Sequence, residues 1–220
     1  MQKQGVVFDF NGTLFWDTEE QNQSWDRFLE KYGFSLNAQE KDTWIHGINA
    51  KDTFEYLFKR ECSAEVVHEL TEEKEVIYRQ MCLDAGMKWA PGAEDLIQYL
   101  LENEVEIAIA TAAGLSNVEF FIEQLGLLNY FRRERIIYND GSMRGKPNPD
   151  LFNKAIEALG IPAKQVTIFE DSLAGVEAAT RSGAGKIYIV NGSEDRFSKY
   201  PYQIISHFNQ VDREAFTNQN

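Results

Sequence analysis

The sequence predicts an α/β fold: a Rossmann-like, doubly wound parallel sheet with an inserted α-helical domain. Three observations predict it. Short apolar runs recur along the chain, each followed by a segment with apolar residues at three- and four-residue spacing. Acidic or hydroxyl residues stand where several of those runs end. One long stretch interrupts the alternation once, near the start.

The first run, Gly5-Val6-Val7-Phe8, is continuously apolar and reads as a central strand buried on both faces. Further strands are predicted at 106–111, 135–138, 166–171 and 186–190, with a weaker sixth at 203–206. Helical periodicity covers 92–102, 117–125, 150–159 and 173–181. Strand–helix alternation of this kind implies right-handed crossovers between parallel strands. Between Trp16 and Met87 only amphipathic helical stretches are found, at 23–32, 50–60 and 64–82, and Pro91-Gly92 marks the return to the sheet. The predicted limits are therefore 1–15 with 88–220 for the core and 16–87 for the insert. Residues 216–220 read as a polar, frayed tail.

Composition narrows the function. A hydrophobic fraction of 43% with 15 Phe is globular and excludes a disordered chain. No stretch approaches the roughly 20 apolar residues of a membrane span. The chain opens Met1-Gln2-Lys3-Gln4 and enters a strand at once, which leaves no room for a signal peptide. Cys62 and Cys82 are too few for a disulfide framework and read as free thiols in a reducing cytoplasm; a monomer is the separate expectation. A net charge of −13 argues against nucleic acid and anionic membrane as partners. It also repels an anionic substrate, so a bound cation and a well-placed Lys are needed to reverse the field locally.

Four motifs carry chemistry. Asp9-Phe10-Asn11-Gly12-Thr13 follows the first strand directly, and ligands of open α/β sheets bind at such carboxyl ends. Asp9 there is either a covalent nucleophile or a turn cap. Ala110-Thr111-Ala112-Ala113-Gly114 ends the second strand, where Thr111 is either part of an oxyanion cradle or a helix cap. In Arg144-Gly145-Lys146-Pro147-Asn148-Pro149-Asp150 two prolines constrain the backbone near Lys146, as suits a lysine that must be aimed. Such a Lys neutralises a pentavalent phosphorus and holds Asp9 ionised, or it is incidental to a rigid loop. Phe169-Glu170-Asp171-Ser172 places consecutive acids at another strand end, tolerable beside Asp9 with a hard cation, though Asp171 or Ser172 also reads as a helix N-cap.

Each motif is weak alone, and their joint order is specific. Asp-x-Asn-Gly-Thr, then Thr, then Lys-Pro, then Glu-Asp resembles the haloacid dehalogenase-like superfamily of phosphohydrolases. An insert after the first motif is similar to its helical-cap subgroup, which includes β-phosphoglucomutase and phosphoglycolate phosphatase. The resemblance covers nearly the whole chain. It implies that Asp9 takes the phosphoryl group from a small phosphorylated metabolite, and that Thr111, Ala112 and Lys146 hold the phosphoryl oxygens. It further implies Mg2+ bound by Asp9, the Asn11 backbone carbonyl and Asp171, joined by Glu170 as in the mutase branch.

The chain departs from that pattern at Asn11. Family phosphatases usually carry a second Asp there, which protonates the leaving oxygen and later activates water. An amide does neither, and three readings are open. The substrate's leaving group needs no proton, another residue supplies one, or the chain binds phospho-ligands without turning them over. β-Phosphoglucomutases also place a His in the first cap helix, and Asp17-Thr18-Glu19-Glu20-Gln21-Asn22 has none, which demotes that activity. Phosphonoacetaldehyde hydrolases tolerate a non-acid at the second position and use a cap Lys. Lys51 is the candidate, although its spacing from Gly47 is one residue long. His46 is the one histidine expected near substrate, His68 and His207 reading as surface and terminal residues. Phe15, Trp16 and Trp44 either line the cleft between insert and core or, the commoner role for any one of them, pack the helical domain.

Overall fold

The computed structural model describes residues 3–45 and 50–216. In chain order its elements are β1 (Gly5–Phe8), α1 (Thr18–Lys31), α2 (Ala38–Trp44), α3 (Ala50–Phe58), α4 (Ala64–Ala85), α5 (Ala93–Glu102), β2 (Glu106–Thr111), α6 (Leu115–Leu125), β3 (Ile136–Tyr138), α7 (Asp150–Leu159), β4 (Val166–Glu170), α8 (Leu173–Arg181), β5 (Lys186–Val190), α9 (Glu194–Phe197) and β6 (Gln203–Ile205). They fall into two units, Met1–Trp16 with Lys88–Asn220 and, separately, Asp17–Met87.

In the first unit six strands form one sheet in the order β3-β2-β1-β4-β5-β6, and every pairing is parallel. Sequence order runs outward in opposite directions from β1 and β4, so the topological switch point lies between these two strands. Open α/β sheets bind ligands just beyond the strand ends at such a point. Register holds those ends level, with Phe8 of β1 opposite Phe169 of β4 and Phe169 opposite Tyr188 of β5. Their rings stack at 5.1 and 4.9 Å between centroids, so one sheet face carries an aromatic ladder. Side chains alternate across a strand. The neighbours Val7, Ala108, Ile168 and Ile187 therefore join the opposite face, packed with Leu151, Phe152 and Ala155 of α7 and Ala178 and Ala179 of α8. Asp9 and Glu170 stand at the level carboxyl edge between the two layers.

Periodicity located the sheet's elements closely, and the differences have local causes. The third strand begins at Ile136, because Arg133–Arg135 closes into a 3-10 turn first. Phe216 is buried in a final 3-10 turn, Arg213–Phe216, and is not part of a frayed tail; 217–220 lie outside the described residues.

The second unit is helical, with no strand among its described residues. Phe28, Leu29, Ile45, Phe54, Leu57, Cys62 and Leu70 form its core. Helix α1 starts five residues before the predicted 23, at Thr18; its first turn is polar and acidic (Glu19, Glu20), which suits a helix N-terminus but shows no apolar period. Helix α2 was not predicted, although its signal is present. Asn37 accepts from Glu40 N at 3.0 Å while Asn37 N donates to Glu40 Oε2 at 2.8 Å, a reciprocal capping box. Helix α3 stops at Phe58, short of the predicted 60, because Lys59 takes φ +52. Cys62 and Cys82 are both free and buried. His46 and Gly47, to which substrate contact and the Lys51 spacing were referred, lie outside the described residues. Among the described residues no helix is long and apolar enough to cross a membrane.

Candidate active site at the carboxyl edge of the sheet

Asp9 is the first residue beyond β1, and its N–H extends the ladder by donating to the Phe169 carbonyl at 2.9 Å. The chain then turns tightly. Leu14 N donates to the Phe10 carbonyl at 2.9 Å and Gly12 N to the Phe15 carbonyl at 2.7 Å. Gly12 sits at φ +78, and a Cβ there would lie 2.2 Å from Asp171 Oδ2, so both backbone and space require glycine. Thr13, buried in the same turn, donates from Oγ1 to Asp171 Oδ1 at 3.3 Å.

Glu170 ends β4 with no exposed surface. Its Oε2 accepts from Ser172 N at 2.6 Å and from Ser172 Oγ at 3.0 Å. The same Oγ accepts from Gly175 N at 3.0 Å and so caps α8. Ser172 is therefore the N-cap, and Asp171 is left for the edge. A Cβ on Gly175 would fall 1.6 Å from Glu170 Oε1, so that glycine makes room for the carboxylate. Lys146 Nζ donates to Asp9 Oδ1 at 2.6 Å and to Glu170 Oε1. Lysine 146 thus bridges two acids that arrive from adjacent strands.

Carboxylate oxygens of Asp9, Glu170 and Asp171 lie within 4.8 Å of one another. Burial pushes the Asp9 carboxyl up to about 7, with Glu170 adding to the rise and Lys146 opposing it. Burial likewise pushes Asp171 up to about 8, reinforced by the charges of Glu170 and Asp9. For Lys146 burial works against the ammonium, but Asp9 and Glu170 outweigh it and the net shift is upward. Three carboxylates against one ammonium leave two negative charges, which a single divalent cation would balance. All-oxygen donors suit a hard ion such as Mg2+. Both Glu170 oxygens already have protein partners, so Asp9 and Asp171 are the better placed to ligate.

Thr111 ends β2, the other neighbour of β1. It is buried, donates from Oγ1 to Asn11 Oδ1 at 3.3 Å and accepts from Ala113 N at 3.1 Å. It does not cap α6, whose N-cap is Gly114. Ala112 stands exposed in that turn. The fold thus joins Asp9, Lys146, Glu170, Asp171 and Thr13 in one network. A second pair, Asn11 and Thr111, is tied to it through the turn after Asp9. Sequence reading gave no role to Thr13 or Gly175, and it offered Ser172 as a helix N-cap, which it is. The Ser-x-x-Gly start of a helix and the glycine beside Thr13 were the available signals.

Other singled-out residues lie elsewhere. Phe15 packs against Phe10 and Phe121 inside the first unit rather than in the helical one, because the turn after Asp9 folds it back onto the sheet. Trp44 stacks on Tyr56 at 4.0 Å within the helical unit. Lys51 is 60% exposed and pairs with Glu55 one turn on, the geometry of a solvated helix-start lysine. His68 is exposed on α4, and His207 follows β6 directly.

A parallel α/β sheet with acids and a lysine gathered at its switch point defines a ligand-binding α/β protein. The sequence profile of the haloacid dehalogenase-like hydrolases matches residues 6–189, and the chain belongs to that family. A family IA hydrolase structure from Entamoeba histolytica is 30% identical with TM-score 0.87, covering 97% of each chain. The phosphorylated carbohydrates phosphatase of Thermotoga maritima is 27% identical over 198 residues, 84% of each chain. The fructose-1-phosphate phosphatase YqaB of Escherichia coli is 26% identical over 183 residues, covering 81% of this chain and 92% of that one.

Proposed function

We infer that the chain is a Mg2+-dependent phosphohydrolase of a small phosphorylated metabolite, a sugar phosphate or a compound like it. The observation that carries this reading is Asp9, buried at the switch point in contact with Lys146 and beside two further acids. Phosphatases among its relatives named for phosphorylated carbohydrates and fructose 1-phosphate support the substrate class. Asp9 attacks phosphorus and becomes an aspartyl-phosphate, which water then cleaves. Lys146 Nζ, Thr111 Oγ1 and the Ala112 amide hold the transferring oxygens. Asp9, Asp171 and the Asn11 carbonyl would hold the Mg2+, with Glu170 as a further carboxylate, and the bound ion would offset negative charge on the phosphoryl group.

Asn11 favours a second reading, a phospho-ligand-binding protein without turnover, because an amide neither donates nor takes up a proton at neutral pH. Phosphate release from a panel of phosphorylated metabolites separates the two. The hydrolase reading expects Mg2+-dependent release that chelation removes and that Asp9→Ala lacks. Release no greater than the Asp9→Ala background, on every substrate, favours the binder.

A further inference from the structure

We propose that Asn11 makes this site selective for acyl phosphates, mixed anhydrides whose leaving group departs as a carboxylate without taking a proton. The inference rests on the hydrolase reading alone and, for that same site, puts an acyl phosphate in place of the sugar phosphate drawn from the relatives' names.

Asn11 stands two residues beyond Asp9, and its orientation is set by the neighbouring strand. Thr111 donates to Asn11 Oδ1, so the amide's oxygen is turned toward β2. The other end of the amide, Nδ2, carries N–H donors and nothing that can give up a proton. Such a group stabilises charge on a departing oxygen by a hydrogen bond. It cannot neutralise that charge.

Each candidate proton carrier in the cluster is otherwise engaged. Lys146 shares its ammonium between Asp9 and Glu170. Glu170 accepts from Lys146 through one oxygen and from Ser172 through the other. Asp171 accepts from Thr13 through Oδ1, and on the hydrolase reading its carboxylate is taken up by the cation. The Thr111 hydroxyl proton points at Asn11. Among the described residues of this unit, nothing joined to Asp9 by these contacts is left to protonate an alkoxide. A carboxylate, whose conjugate acid has a pKa of about 4, needs no such help at neutral pH.

The step balances on that basis. An Asp9 oxygen forms the new bond to phosphorus as the bond from phosphorus to the acyl oxygen breaks. The electron pair leaves with the carboxylate, and no proton moves. In the second step water adds to phosphorus and the Asp9–phosphate bond breaks. Asp9 recovers its charge, and both water protons remain on the released dihydrogen phosphate. With no base to draw a proton from that water, the second step is the slower, and the aspartyl-phosphate accumulates.

The test is rapid-quench phosphorylation of the full chain with Mg2+. The donors are acetyl phosphate, aryl phosphates of graded phenol acidity, an anomeric hexose 1-phosphate and a hexose 6-phosphate. Wild type should show a burst with acetyl phosphate equal to the enzyme present, and a rate that falls steeply as the leaving group becomes more basic. Asn11→Asp should raise the hexose 6-phosphate rate by about 10²–10⁴-fold, the usual worth of a general acid. Acetyl phosphate should change far less, and the burst should shrink as water attack gains a base. A shallow leaving-group dependence in wild type overturns the proposal, whether or not the variant folds. So does an Asn11→Asp variant that folds and leaves the ratio of acyl to alkyl rates unchanged. If wild type hydrolyses the hexose phosphates readily, the selectivity fails while the hydrolase reading stands. If no donor phosphorylates wild type above Asp9→Ala, both fail together.

Discussion

Two regions of the molecule bury an aspartate, and they satisfy it in opposite ways. In the helical unit Asp17 is 1% exposed and accepts from the Tyr78 hydroxyl and from Gln21 Nε2 at 3.3 Å. Lys74, also buried, donates to Gln21 Oε1 at 3.1 Å and to Glu75 at 2.7 Å. Burial, and then the Asp17 charge, push the Tyr78 hydroxyl well above its ordinary range, so it stays a donor. At the sheet edge the acids face one another instead. Asp9 and Glu170 share a single ammonium with Asp171 close beside them, and burial raises Asp171 to about 8 and Asp9 to about 7. A buried carboxylate is tolerated when donors surround it and costly when like charges do. The first arrangement is complete as a piece of structure. The second gathers more carboxylates than its one ammonium balances, a cluster that could hold a cation and so has the property expected of a site rather than of a core.

The largest test of that contrast is pH. Because the folded-state values of Asp9 and Asp171 lie above the ordinary 3.8, the folded chain holds those protons more tightly than the unfolded chain. Their contribution to stability is therefore present below about pH 4 and is lost as pH rises through about 7 to 8. Urea unfolding of the chelated protein should move to lower midpoints across that window, and Mg2+ should reverse the loss most strongly at its upper end. Asp171→Asn should raise the midpoint of the chelated protein near pH 8 and abolish the Mg2+ effect. A chelated protein as stable at pH 8 as at pH 5 breaks the comparison.

Removing the shared ammonium comes next. Lys146→Met leaves Asp9 and Glu170 without their common partner and should cost about 3–5 kcal/mol in the chelated protein. Mg2+ should recover part of that loss. A variant with an unchanged unfolding midpoint would mean that the two acids need no cation at all.

The smallest effect belongs to the helical unit. Tyr78→Phe deletes one donor to Asp17 and should cost about 1–3 kcal/mol, the penalty of an under-satisfied buried acceptor. Mg2+ should leave that cost untouched. If Mg2+ restores Tyr78→Phe as it restores Lys146→Met, the two regions are not the separate cases described above.

Much of this was legible in the chain before any coordinates. Runs such as Val166-Thr167-Ile168-Phe169 and the spacing of Leu151, Phe152, Ala155 and Ile156 place strands and helices, because side-chain direction repeats locally. The capping box at Asn37 and Glu40 is equally local. Residue chemistry was legible too: an Asp after the first strand, a Lys beside proline, paired acids after a later strand. Asn11 could be seen to lack a proton.

Only the tertiary structure decided how those groups share charge. Lys146 reaches both Asp9 and Glu170, Thr111 turns the Asn11 amide, and Gly12 and Gly175 clear space for Asp171 and Glu170. Phe15 went to the sheet unit for the same reason, since the turn that carries it is shaped by contacts across the sheet edge. Periodicity and capping arise between residues a few positions apart, so they are written along the chain. Charge sharing between Asp9 and Lys146 depends on strand order and register, which the whole sheet sets at once.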